Sequence, residues 1–325
     1  MYKKLLISMT AVLAFAGFAN LGSPNQGAFS PAAASAASVQ ASTNSSAYDD
    51  INEKVDGSLV LEGDIAFAYP GSNGVTLRGS IRLPNSYEKG KKYPVAILSH
   101  GVLGDRNQQG MFTQLTDALQ KKGMVTVRFD FDGYGESDGE LKYNSIKSEK
   151  EDLSAIIDYV KTLDYVDTNR INLVGYSMGG AATSLVAGER ANEIHSVALW
   201  SAAAILVDDA ERGSLLGATV DVNNLPDEIP IFGGAYTFGK KWFEDAIGLD
   251  IYGIAQKYEG DVLIVHGDKD QVVPMSYSKK YDKVYGKGAK LVVVKGGEHV
   301  YAGDALDMAV KRTVNFLYKE NKVKK

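Results

Sequence analysis

The sequence predicts an α/β fold: a mostly parallel sheet with helices on both faces. Three observations predict it. Short unbroken runs of Val, Ile and Leu recur along the chain, as in strands buried on both faces. Stretches with apolar residues at helical spacing lie between those runs. Glycine is abundant (34) and proline sparse (8), so tight turns are frequent without low-complexity composition. In such sheets ligands bind beyond the carboxyl ends of the strands. The residues that follow each strand are therefore the ones to read for function.

The elements follow in order. Residues 1–36 read as a secretory signal peptide. Lys3 and Lys4 form its basic start, 5–19 is its apolar run, and Ala34-Ser35-Ala36 offers a small-x-small cleavage site. Residues 37–56, rich in Ala, Ser, Thr and Asn, read as a flexible leader. A domain over 57–325 follows. Strands are expected at 65–69 and 76–83, separated by the turn signal P-G-S-N-G. The apolar run 93–99 fits a buried strand and ends at His100-Gly101. Apolar spacing predicts a helix over 111–122, with Gly123 as its stop, and then a strand at 125–131. A helix over 148–163 is expected to open on a Ser148–Glu151 capping box. Four more buried strands are expected at 171–174, 196–200, 262–265 and 291–294, and an amphipathic helix at 304–318 closes the chain. Residues 203–257 break this rhythm. They carry many turn signals and the aromatics Phe232, Tyr236, Phe238, Trp242, Phe243 and Tyr252. More than fifty residues without a sheet strand exceed an ordinary connection, so we expect a cap over the strand ends.

Composition excludes whole classes of chemistry. The chain of 325 residues has no cysteine, so disulfides, thiolate metal sites and cysteine nucleophiles are ruled out. A net charge of −5 argues against a general nucleic-acid binder. Beyond the signal, no apolar run is long enough to span a membrane, so no stable membrane association is expected after cleavage. Metalloprotease and phosphate-loop motifs are missing. The stretch 130–139 superficially resembles a calcium loop, but Tyr134 and Leu141 stand where oxygen ligands are required. No cofactor or metal is expected. Nothing in the sequence specifies an oligomeric state.

The chemistry concentrates after the strands. G-Y-S-M-G-G, residues 175–180, is a G-x-S-x-G turn with a strand before it and a helix after it. Such a turn holds the central Ser177 in a strained conformation and needs small residues around it. It also aims the Met178 N–H at the place where an oxyanion would form. A serine nucleophile needs a base, and the chain has four histidines. His195 enters a strand; His100, His266 and His299 follow strands. The chain order Ser…Asp…His selects His299. Asp270, in H-G-D-K-D-Q-V-V-P, is the favoured orienting carboxylate, because V-V-P would fix its loop. Asp268 competes with it. The N–H of Val102, directly after His100-Gly101, is the expected second oxyanion donor.

The set S-H-G-V-L-G-D, V-R-F-D-F-D-G-Y-G-E-S-D-G, V-G-Y-S-M-G-G, V-H-G-D-K-D-Q-V-V-P and K-G-G-E-H-V-Y resembles the α/β-hydrolase superfamily. Its order is similar to that of the bacterial cinnamoyl (feruloyl) esterases, over roughly 60–318. The resemblance implies a Ser-Asp-His hydrolase acting on a small-molecule ester, with a small cap shaping the acyl pocket; the signal peptide makes it an expected secreted enzyme, and its serine mechanism needs no cofactor. It places a cap residue that hydrogen-bonds the acyl ring hydroxyl at Asp209. The family's tyrosine partner falls near Trp242, which cannot accept a hydrogen bond, and a glutamine position falls near Leu216. The implied pocket is thus more apolar than that of a feruloyl esterase. A serine peptidase of the same fold is the alternative, and a non-catalytic binding protein on this scaffold is a further one.

Overall fold

The computed structural model describes residues 63–322. The expected signal peptide (1–36) and leader (37–56) lie outside the described residues. The chain opens with the antiparallel pair β1 (Ile65–Pro70) and β2 (Thr76–Arg82). It then alternates through β3 (Tyr93–Ser99), α1 (Met111–Gln120), β4 (Val125–Phe129), α2 (Ile146–Thr162), β5 (Val166–Tyr176), α3 (Ser177–Glu189) and β6 (Ser196–Trp200). The intervening segment holds α4 (Ile205–Glu211), β7 (Ser214–Leu215), β8 (Ala218–Thr219), β9 (Glu228–Ile231), β10 (Tyr236–Gly239), α5 (Lys241–Glu244) and α6 (Ile251–Ala255). β11 (Asp261–Gly267), α7 (Met275–Tyr285), β12 (Ala289–Val294) and α8 (Gly303–Glu320) complete it.

Among the described residues eight strands form one sheet in the order β1-β2-β4-β3-β5-β6-β11-β12. From β4 to β12 every pairing is parallel. All seven residues of β3 are buried, which its unbroken apolar run requires. Strand alternation sends Val95 and Ile97 into one core and Ala96 and Leu98 into the other. The first core takes Leu153, Ile156 and Ile157 of α2, Leu185 of α3 and Tyr281 of α7. The second takes Phe112 and Leu115 of α1 and Val310, Val314 and Leu317 of α8. The chain therefore forms helix, sheet and helix layers. Among the described residues no helix is long and apolar enough to cross a membrane.

Three expectations need correction. α2 starts at Ile146, and its reciprocal cap joins Ser145 and Ser148, not Ser148 and Glu151. Ser145 Oγ accepts the Ser148 N–H and Ser148 Oγ accepts the Ser145 N–H, at 3.2 and 2.9 Å. Glu151 is exposed and one turn too late to reach the open end. β5 begins five residues before the expected 171, because the polar stretch Asp167–Arg170 hides its first half from an apolar count. Among the described residues β12 is an edge strand paired with β11 alone, and Val293 on it is 52% exposed rather than buried.

Residues 203–257 lie between β6 and β11, and none of their strands joins the main sheet. β7 pairs with β8 and β9 with β10 as separate two-stranded ribbons. Phe238, Trp242 and Phe243 are buried there and extend the first core. Leu206, Leu215 and Leu216 of this segment lie close to the N-terminus of α3, which brings them over the strand ends.

Candidate active site

β5 turns into α3 through Ser177, the first residue of that helix. Ser177 has φ +53°, a left-handed conformation that costs a non-glycine residue about 1–3 kcal/mol. The turn is possible only because its neighbours lack side chains. A Cβ on Gly179 would stand 2.1 Å from the His100 carbonyl oxygen and 2.4 Å from that of Ser99. One on Gly175 would stand 2.5 Å from the Gly179 carbonyl oxygen. Ser177 is thereby held at the strand ends and is only 3% exposed.

Three of the expected side chains meet there. His299, in the loop after β12, places Nε2 at 3.0 Å from Ser177 Oγ. Its Nδ1 lies 2.8 Å from Asp270 Oδ2, in the loop after β11. Tyr176 donates its hydroxyl to the His299 carbonyl at 3.0 Å and holds that loop against the elbow. The other carboxylate oxygen of Asp270 accepts the N–H groups of Val272 and Val273, at 3.0 and 2.9 Å. V-V-P thus closes the loop on the carboxylate. Asp268 is turned away: it is exposed and accepts the Gly296 N–H at 2.7 Å.

The electrostatics follow from these contacts. Burial by itself would raise the Asp270 carboxyl. The hydrogen bond and charge of His299, with the Val273 amide, outweigh burial and hold it below the ordinary carboxylate value. His266 Nε2 lies 3.4 Å from Asp270, but burial pushes its imidazole down. His266 donates from Nε2 to the Val273 carbonyl (2.9 Å) and accepts from Ser278 at Nδ1 (2.7 Å), as a neutral ring. His195 binds the Glu320 carbonyl.

Val102 and Met178, the two expected oxyanion donors, line the same cleft as Ser177. Met178 sits in the first turn of α3, where backbone N–H groups have no intrahelical acceptor. The cleft encloses about 460 Å³ including its open mouth. Asp209 and Trp242 are both in its wall, with Leu206, Leu215 and Leu216. The Asp209 carboxylate is paired with Arg212, and burial pushes it up to about 6. Trp242 is 6% exposed and packs edge-on against Phe238, and its indole N–H has no hydrogen-bond partner.

Sequence reasoning missed the supports of the loop after β3. Asp130 accepts the Arg106 N–H at 2.6 Å, its Nε at 2.9 Å and the Glu136 N–H at 3.0 Å. The carboxylate in the stretch considered for calcium is a latch between two loops. Gln108, fully buried, accepts the Gly101 N–H at 2.7 Å. A buried polar side chain with no motif around it leaves no periodic signal. Among the described residues no group of three or more His, Asp or Glu side chains is arranged to hold a metal.

Comparison with known proteins agrees with this architecture. The family model Hydrolase_4 (serine aminopeptidase, S33) matches residues 92–220. The uncharacterized protein YcjY of Escherichia coli is 32% identical over 38% of this chain and 40% of its own length. The chain spans half or less of the length of the first curated relatives it matches. The human serine hydrolase BPHL is 25% identical over 62% of this chain and 72% of its own. The structure of Est1E from Butyrivibrio proteoclasticus with bound ferulic acid superposes with a TM-score of 0.71 at 29% identity. That match covers 78% of this chain and 98% of Est1E. With a mostly parallel sheet of eight strands among the described residues, two helical layers and a tight strand-to-helix elbow at the strand ends, the chain has the α/β-hydrolase fold and resembles the feruloyl esterases.

Proposed function

We propose that the chain is a secreted serine carboxylesterase. The observation that carries this reading is the hydrogen-bonded series Ser177–His299–Asp270 at the mouth of an apolar cleft. Ser177 Oγ attacks the ester carbonyl carbon while His299 Nε2 takes its proton. Asp270 holds the tautomer with the proton on Nδ1, so that Nε2 accepts from Ser177, and stabilises the imidazolium that forms. The N–H groups of Val102 and Met178 receive the oxyanion. Collapse of the tetrahedral species expels the alcohol, which takes the proton from Nε2. Water then attacks the acyl-enzyme and gives a proton to His299; collapse of the second tetrahedral species frees the acid and expels Ser177 Oγ, which takes that proton back from Nε2. Every proton moves between these groups and substrate, so the mechanism calls for no cofactor.

Cinnamoyl-type esters are the proposed substrate class. The leucines of the cleft and Trp242 favour an apolar acyl group, so methyl cinnamate should be hydrolysed at least as well as methyl ferulate. The description of the matching family model favours a second reading, a serine aminopeptidase. Asp209 is the acidic side chain in the cleft wall that could hold a substrate ammonium, and Arg212 already occupies it, which supports the ester reading. A panel of p-nitrophenyl esters, methyl cinnamates and aminoacyl amides separates the two. Ester turnover lost in Ser177→Ala is expected; amide turnover exceeding ester turnover would favour the peptidase, and an active Ser177→Ala would refute both. Secretion is tested by sequencing the N-terminus of exported protein. A start after Ala36 is expected, and a start at Met1 would refute it.

A further inference from the structure

His100 is fully buried, yet both of its ring nitrogens are committed to backbone groups beside the cleft. Nδ1 lies 2.8 Å from the carbonyl oxygen of Gly101. A carbonyl can only accept, so Nδ1 carries the proton. Nε2 then accepts, and it receives the Phe131 N–H at 3.2 Å. The imidazole is therefore one fixed neutral tautomer, and burial, which pushes its pKa down, preserves that state. Phe131 and Tyr134 pack edge-on against the ring, with centroids 4.9 and 5.1 Å away, and leave it no room to turn.

The Gly101 carbonyl belongs to the same peptide unit as the Val102 N–H. In a planar trans peptide the two point in opposite directions. No cis bond is present among the described residues. The carbonyl is held by His100 on one side and by the Gly104 N–H, at 3.0 Å, on the other. Fixing the carbonyl in this way fixes the N–H. Leu103 (φ +57°) and Gln108 (φ +44°) show that the loop is wound into conformations it would not adopt unaided.

We infer that His100 is a positioning residue: by holding the Gly101 carbonyl it turns the Val102 N–H toward the oxyanion beside Ser177. The inference rests on the ester-hydrolase reading. Its role is energetic only when negative charge develops on the substrate oxygen, because a ground-state carbonyl asks less of the donor.

The experiment compares His100→Leu, which fills the space without a donor, with His100→Asn, whose Nδ2 can stand where Nδ1 stands. Both are assayed on p-nitrophenyl acetate, with rates expressed per folded enzyme from circular dichroism. Binding of a trifluoromethyl ketone, which presents an oxyanion, is measured alongside. Loss of a well-placed oxyanion donor lowers turnover by about 10²–10³-fold, so a misdirected one should cost His100→Leu about 10–100-fold in kcat. KM should move less than about twofold, and ketone affinity should fall in parallel with kcat/KM. His100→Asn should recover most of the loss. An unchanged kcat per folded His100→Leu, an unchanged ketone affinity, or a His100→Asn as impaired as His100→Leu would each overturn the inference. Ser177→Ala is the control. If it stays active, the ester-hydrolase reading fails; if it is inactive while His100→Leu keeps full turnover, only the positioning role fails.

Discussion

Asp270→Asn tests the proposed mechanism most sharply, because the structure dictates which way the new amide must face. One carboxylate oxygen of Asp270 accepts two backbone N–H groups, from Val272 and Val273, at 3.0 and 2.9 Å. An amide NH2 in that position would confront two donors with a donor, leaving buried N–H groups unpaired at about 1–3 kcal/mol each. The amide oxygen must therefore take that side, and the NH2 must face His299 Nδ1, where a carboxylate oxygen now lies 2.8 Å away. An NH2 can only donate, so Nδ1 becomes the acceptor and the ring proton moves to Nε2. Nε2 can then no longer take the Ser177 proton across 3.0 Å. Loss of the productive tautomer in this type of triad lowers turnover by about 10⁴-fold, or about 5 kcal/mol of transition-state stabilisation. Folding stability should change by no more than about 1 kcal/mol, because both loop hydrogen bonds survive. Steady-state hydrolysis of p-nitrophenyl acetate with thermal melts checks both halves. A variant that folds normally and keeps kcat within tenfold of the parent would refute the tautomer argument. Asp268→Asn is the matched comparison. Its amide oxygen can still accept the Gly296 N–H, and it should keep kcat within about threefold.

Gly179→Ala should destabilise the fold by about 1–3 kcal/mol and impair activity, because the new methyl meets the Ser99 and His100 carbonyls; a variant with the parent's melting temperature would contradict that crowding. Asp209, pushed up to about 6, should lose its charge as pH falls through that value. KM for a neutral apolar ester should therefore fall between pH 7 and 5, and Asp209→Asn should flatten that change; a flat profile in the parent would count against it. Asp152 is buried beside Glu149 and its carboxyl is raised to about 6 from 3.8. A raised carboxyl means the folded state holds the proton more tightly, so stability is gained as pH falls from above 6 toward 4, by about 3 kcal/mol at most. Neutral His100 and His266 act with the opposite sign, but they act alike on parent and variant. The stability of Asp152→Asn relative to the parent should accordingly decline from pH 8 to pH 4 in denaturant titrations; a difference independent of pH would refute the assignment.

Much of the fold could be read from local pattern. β3 and β6 fall where their apolar runs stand, since a strand buried on both faces is almost wholly apolar and its run stands out from its surroundings. β5 and β12 depart from their apolar runs for the converse reason. The first half of β5 is polar, and an edge strand keeps an apolar sequence while exposing half of it. The α2 cap lies three residues before the expected one because Ser145 and Ser148 offer the same chemistry as Ser148 and Glu151, and only packing chooses between them.

The strand-to-helix turn at Ser177 was legible from the residues alone, because G-x-S-x-G carries its own steric requirement within five residues. So was the order in which serine, carboxylate and imidazole follow their strands. Only the tertiary structure decided between Asp270 and Asp268, two residues apart in one loop, since that choice depends on which carboxylate the Val272 and Val273 amides hold toward His299. Only it gave His100 a place distinct from His266, two histidines that each follow a strand in His-Gly. One clasps the peptide of Val102, and the other braces the Asp270 loop. Both outcomes rest on hydrogen bonds to backbone groups, and backbone groups are the same at every position in a sequence until the fold gives them a direction.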